Sequence, residues 1–413
     1  MFDAAARWVT AGSGGGVDNP AMSDTPTSDG RPDEAIPGAS TGSPTGTPAG
    51  TPAAEPTGAH ALSYPCGEPP APGSVREVAP GVLWLRMPLP FALNHINLWA
   101  IADHDAQGPG WAIVDTGVKT PEVLAAWRQL IAADGPLAAT RQGARITRIL
   151  CTHMHPDHVG MAGWLARKCQ VRLWMTRLEY LTCRSLTADT GREAPADAIR
   201  FYQQAGWPEE ALDVYRSRFG GFGKYLHALP DSFRRISDGE TLQIGAHPWQ
   251  VVVGRGHSPE HACLVSEALG VMISGDQVLP RISSNVSVFP TEPDADPLGD
   301  WISSLARLRS TLGDHLLVLP AHGEPFTGLH ARLDRLIGGH QRGLVRLRRS
   351  LADSPKRAID VFGALFARPI NGQGELLGMA TGESLAHLNH LVALGEAVGE
   401  LDAQGVRRYR MLA

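Results

Sequence analysis

The sequence has little of what would place a protein in a membrane, in a disulfide framework or on nucleic acid. Its five cysteines, Cys66, Cys151, Cys169, Cys183 and Cys263, form an odd set without a CxxC pair. Neither a disulfide lattice nor a cysteine zinc site is therefore expected, and the thiols read as reduced groups of a cytoplasmic protein. No apolar run approaches the roughly 20 residues of a bilayer-spanning helix. The opening residues Met1-Phe2-Asp3-Ala4-Ala5-Ala6-Arg7-Trp8 lack the basic start and sustained apolar core of a secretory leader. With a net charge of only −5, there is no large field to attract nucleic acid or an anionic surface. Residues 1 to about 70 also lack apolar clusters, being mostly Gly, Pro, Ser, Thr and Ala. Such a segment buries too little surface to offset its chain entropy, so a disordered extension is expected there.

What the chain does have is concentrated in His153-Met154-His155-Pro156-Asp157-His158, directly after the apolar run Ile149-Leu150-Cys151. In an extended segment His153 and His155 project to the same side, and Pro156 turns the chain so that Asp157 and His158 approach from another direction. The spacing is neither that of two histidines four apart on a helix nor that of a zinc finger. Four further residues follow apolar, strand-like runs: Asp115 after Trp111-Ala112-Ile113-Val114, His257 in Gly256-His257-Ser258-Pro259-Glu260-His261, Asp276 after Val271-Met272-Ile273-Ser274-Gly275, and His322 in Leu319-Pro320-Ala321-His322-Gly323.

These five motifs, in this order, resemble those of the metallo-β-lactamase superfamily. The resemblance implies two divalent ions, one held by His153, His155 and His257, the other by Asp157, His158 and His322, with Asp276 shared. Asp115 would brace the ligand loop, and Asp157 would also orient the nucleophile, a hydroxide supplied by the metal pair near neutral pH. An all-nitrogen-and-oxygen donor set suits zinc first, and also iron or manganese. Asp276 stands where one lactamase subclass carries a metal-binding cysteine, which argues against a β-lactam substrate. His261 is either a partner behind the metal ligands or, the preferred reading, a structural histidine, and Cys151, at the end of an apolar strand, is read as buried packing.

Short strand-like runs from Val75 onward, with the helix at Pro121–Ile131 capped by Thr120, fit an α/β fold: an αββα sandwich of two sheets with helices outside. The catalytic domain is expected over residues 75–327, with a helical insertion at 176–235 rich in aromatics that form a small core of their own. A C-terminal helical domain is expected over residues 328–413. It opens with an arginine-rich helix, and its final pair of short strands around Asp402-Ala403-Gln404-Gly405, after Leu385-Ala386-His387-Leu388-Asn389-His390-Leu391, resembles a winged-helix ending, as found in an endoribonuclease-like branch of the same superfamily.

The leading expectation is hydrolysis of a small ester or thioester, of the glyoxalase II-like or acyl-thioesterase kind. An endoribonuclease-type phosphodiesterase and a lactonase are the alternatives. From Ser354 onward there are six Lys/Arg against six Asp/Glu, a balance that disfavours nucleic acid. Arg281 and Asn285 follow Asp276 closely enough to be candidate substrate contacts. A small-molecule substrate, no membrane partner and a homodimer contact complete the expectations; no organic cofactor is implied.

Overall fold

The computed structural model describes residues 62–412, except residues 92, 141–142 and 371–373. Most of the expected extension, residues 1–61, lies outside the described residues. Its last part departs from the expectation: Leu62 and Tyr64 pack against the folded body, and Ser63 pairs with Thr327. Two apolar side chains and a bridge suffice to bring this stretch into the fold before residue 70.

Two sheets carry the architecture. The seven-stranded sheet runs in the order Arg76–Ala79, Val82–Pro88, His95–Asp105, Gly108–Val114, Ile146–Leu150, Leu173–Met175 and Arg234–Arg235. The first four strands are antiparallel neighbours and the rest join in parallel. In the five-stranded sheet, Thr241–Ile244, His247–Gly254, His261–Ser266 and Val271–Gly275 are antiparallel, and Leu317–Pro320 joins Val271–Gly275 in parallel.

The period of two along each strand divides its side chains between two layers. Val82, Trp84, Trp99, Ile101, Ala112 and Val114 from the first sheet meet Val251, Val253, Leu264, Val271 and Ile273 from the second. Their sequence neighbours Leu83, Leu85, Met87, Ile96 and Leu98 face outward, beneath Val123, Trp127 and Leu130 of helix Pro121–Leu130. That helix begins as its sequence dictates, with Thr120 Oγ1 accepting from the Val123 amide. On the far side, Val252, Cys263, Val265 and Met272 lie under Leu298, Trp301, Leu305 and Leu308 of helix Pro297–Thr311. Helix, sheet, sheet, helix is thus the layer order.

Between residues 176 and 235 stand helices Arg177–Ala188, Ala196–Ala205 and Glu209–Arg218. Their aromatics do not make a private core. Tyr202 stacks on Trp207 at 4.1 Å and meets Tyr215 at 4.7 Å, and this cluster continues into Leu377, Ala380 and Leu385 of helix Glu375–Ala393. Trp207 Nε1 donates to Thr381 Oγ1 at 2.9 Å. The C-terminal part consists of helix Leu329–Asp353, two short helical turns, helix Glu375–Ala393 and the antiparallel hairpin Ala397–Leu401 with Arg407–Met411. Among the described residues, no helix is long and apolar enough to cross a membrane.

Candidate metal centre

Parallel pairing delivers the site residues together. Strands Gly108–Val114 and Ile146–Leu150 lie side by side with Val114 opposite Leu150, so their carboxyl ends place Asp115 beside Thr152. Strands Val271–Gly275 and Leu317–Pro320 do the same for Asp276 and His322. Asp115 adopts φ +62, a left-handed conformation that aspartate tolerates better than most side chains. Turned this way, its carboxylate accepts from the Thr152 amide at 2.8 Å, from Thr152 Oγ1 at 2.8 Å and from His158 Nδ1 at 2.8 Å. His158 is thereby fixed with Nε2 facing inward, 3.5 Å from Asp276 Oδ1.

Every other imidazole that can be traced to a support is held likewise. His257 Nδ1 donates to the Asn285 carbonyl at 2.7 Å, and His322 Nδ1 to the His95 carbonyl at 2.9 Å. The freed Nε2 atoms converge on the carboxylates: His257 Nε2 is 3.4 Å from Asp276 Oδ2, and His322 Nε2 is 3.4 Å from Asp276 Oδ1 and 3.3 Å from Asp157 Oδ2. Among the described residues, two groups can hold a metal ion, His153, His155, His257 with Asp276, and Asp157, His158 with His322. In each, the donor atoms lie within 4.8 Å of one another. The sequence-expected ligands are all brought together.

The electrostatics fit divalent ions. His158 Nε2, His257 Nε2 and Asp276 Oδ1 are buried yet make no hydrogen bond within the protein, a costly arrangement unless a further positive centre completes them. Burial drives His153 well down, and burial with the neighbouring His257 takes His155 to about 3, so both are neutral donors. On the other side burial opposes charge, but Asp157, Asp115 and Asp276 overcome it and hold His158 well above its ordinary value. Burial likewise opposes ionisation of Asp276, yet His322 and His158 keep its carboxyl well below the usual range. Against burial, Asp276 and Asp157 also raise His322, so a pocket with three carboxylates favours positive charge on both histidines, and ions would supply it in their place.

His261, for which the motif left open a partner behind the ligands or a structural role, sits directly under the centre: its Nε2 accepts from the Asp276 amide at 3.0 Å. Gly275, at φ +50, is small because a Cβ there would fall 2.5 Å from that ring. Glu179 is wholly buried, and Glu383 lies behind Asn285; both escaped sequence reasoning because each acts through distant loops. A faint cue existed for Glu179, which shares the helical face of Tyr180 and Cys183. Cys151 is buried in the core, as expected.

The two candidate substrate contacts also make bonds within the protein. Arg281 pairs with Glu324 at 3.1 Å and lies over the Tyr64 ring. The Asn285 amide is engaged by Glu383 and Ser287, while its carbonyl holds His257.

Comparison with known proteins follows this geometry. A profile of the metallo-beta-lactamase superfamily matches residues 96–322, and one described as the metallo-beta-lactamase-like C-terminal domain matches residues 344–412. The crystal structure of a beta-lactamase domain protein from Burkholderia ambifaria is similar, with 41% identity and a TM-score of 0.73 over 85% of this chain and 97% of that one. The probable metallo-hydrolase YqjP of Bacillus subtilis is 26% identical over 76% of this chain and 92% of its own length. The atrochrysone carboxyl ACP thioesterase of Aspergillus fumigatus is 26% identical over 54% of this chain, a match spanning 37% of that protein.

Proposed function

The chain belongs to the metallo-β-lactamase superfamily, and is a metal-dependent hydrolase; from that premise we propose that it works with two ions and cleaves a small ester or thioester. The observation that carries the binuclear reading is Asp276, whose Oδ2 faces His257 of one donor group while its Oδ1 faces His158 and His322 of the other. Zinc suits this donor set, as do iron and manganese. When bound, such a pair supplies hydroxide near neutral pH and polarises a carbonyl oxygen.

The remaining work falls to the protein. Asp115 and the Asn285 and His95 carbonyls fix three imidazoles by their outer nitrogens, so the inner ones need no reorganisation during turnover. Asp157 Oδ2, 3.3 Å from His322 Nε2, is placed to orient the attacking group and to take up its proton. The departing thiolate or alkoxide is then protonated by Asp157 or by solvent.

The similarity to an acyl carrier protein thioesterase supports a thioester over a lactone. Phosphodiester cleavage is disfavoured by where three of the six arginines of helix Leu329–Asp353 go. Arg332 is buried and donates to the Leu279 and Ile282 carbonyls, Arg346 to the Ala364 carbonyl, and Arg348 to Glu396. These side chains join parts of the fold rather than form a phosphate-binding face.

The test is metal analysis of protein purified without chelator, followed by assays with S-acyl thioesters, lactones and labelled RNA. Thioester or ester turnover abolished by His153→Ala is the expected result. Cleavage of RNA alone would overturn the reading.

A further inference from the structure

Helix Arg177–Ala188 is mounted against its own hydrophobic pattern. Leu178 and Leu181 are 44% and 52% exposed, while Glu179 between them is 0% exposed. Burying a leucine stabilises by about 1.5–3 kcal/mol, and an ionisable carboxyl is among the groups least tolerated inside. An orientation that forgoes the first and accepts the second needs a compensating role, and the hydrogen bonds identify it.

Glu179 Oε2 accepts from the Met154 amide at 2.9 Å, between ligands His153 and His155. Glu179 Oε1 accepts from Ser258 Oγ at 2.7 Å and from the Glu260 amide at 2.7 Å, in the segment just after His257. One carboxylate therefore ties together both loops that supply the three-histidine group. The link is returned from the other side, because Glu260 accepts from the Leu178 amide with its side chain and from Thr176 Oγ1 with its carbonyl. Asp115 contacts His158 directly, on the opposite half, and reaches the three-histidine group only through Thr152, whose Oγ1 lies 3.1 Å from His153 Nδ1.

We propose that Glu179 is the positioning residue of the metal site formed by His153, His155 and His257, and that it sets the metal affinity of that site separately from the site at Asp157, His158 and His322. The inference rests on reading the two donor groups as metal sites. It reaches beyond that reading by giving helix Arg177–Ala188 a defined part in one of them.

The experiment is titration of the full chain, stripped of metal, with cobalt(II), followed by visible absorption and by equilibrium metal content. Glu179→Gln keeps the shape but places an amide donor against amide or hydroxyl donors. Ser258→Ala removes a single bond and leaves the helix untouched, so it serves if the first variant folds poorly. Each is combined with His322→Ala, to report on the three-histidine site, and with His155→Ala, to report on the other.

The expected result is a loss of about 10- to 100-fold in affinity for Glu179→Gln with His322→Ala, the range typical of outer partners of metal ligands. A smaller loss in the same site is expected for Ser258→Ala, and unchanged binding in both His155→Ala combinations. Wild-type affinity in the His322→Ala background, or equal weakening of both sites, would overturn the proposal while leaving the two-site reading intact. A wild-type chain that takes up no cobalt would overturn both.

Discussion

The side-chain amide of Asn285 donates to Glu383 Oε2 at 3.0 Å, joining the loop that supports His257 to helix Glu375–Ala393. Neighbouring residues reinforce the junction: Thr381 accepts from Trp207, and the Gly382 carbonyl accepts from the Val288 amide. Three consecutive positions of one helix are thus spent on the body that carries the metal ligands.

A pH dependence follows from this bond. Burial lifts the Glu383 carboxyl to about 7 from an ordinary 4.5, although Asn285 pulls the other way. With the folded value raised, its stabilising contribution is fully present below about pH 4.5 and is lost as pH rises through about 7. Glu383→Gln keeps an acceptor for Asn285 without that loss. Relative to wild type, the variant should gain up to about 3 kcal/mol between pH 4.5 and 8. Thermal melting at pH 5 and 8 checks this; curves that stay parallel would count against a neutral Glu383.

Asp276 and Asp115 should fail differently. If Asp276 bridges the two donor groups as proposed, Asp276→Ala should leave a purified protein that holds neither ion firmly. Asp115→Ala deletes no ligand but releases His158 and Thr152, and should weaken one site by about 10- to 100-fold. Elemental analysis after dialysis separates the two; a fully metallated and active Asp276→Ala protein would refute the shared role.

Gly275→Ala tests the floor of the centre. At φ +50 an alanine is strained, and its methyl would press on the His261 ring that accepts from the Asp276 amide. A destabilisation of about 1 kcal/mol or more is expected, together with loosened metal. Melting of the metal-free protein and its zinc content report these separately, and wild-type values in both would contradict the account.

The C-terminal part should not be separable. Leu385, Leu388 and Leu391 share one core with Trp301 and Leu305, so a chain ending before Ser354 should be insoluble. Leu388→Ala, a point change in the same place, should cost about 2–5 kcal/mol. Recovery of a soluble, metal-loaded truncation would show that the shared core is dispensable.

Much of the site was legible because its chemistry is local. His153, His155, Asp157 and His158 lie within one hexapeptide, and Asp115, Asp276 and His322 each follow a strand-like run, so residue type and spacing sufficed. The layer order was also legible, since alternation in strands such as Val82–Pro88 and the Thr120-Pro121 cap are local signals. Glu179 and Glu383 were not, because their partners lie far along the chain and an isolated carboxylate on a helix normally reads as solvated surface. Nearness in sequence to Asp276 suggests Arg281 and Asn285 as substrate contacts, and the structure adds the partners of their side chains, Glu324 and Glu383.

The junction at Thr381-Gly382-Glu383 also bears on how the protein is made. A ribosome delivers residues 115 to 322, and with them every candidate ligand, well before it delivers residue 383, and domains tend to fold as they emerge. The strut behind His257 therefore arrives after all of them. During synthesis the nascent chain acquires its finished metal-binding geometry only once residue 383 has emerged, well after the last ligand.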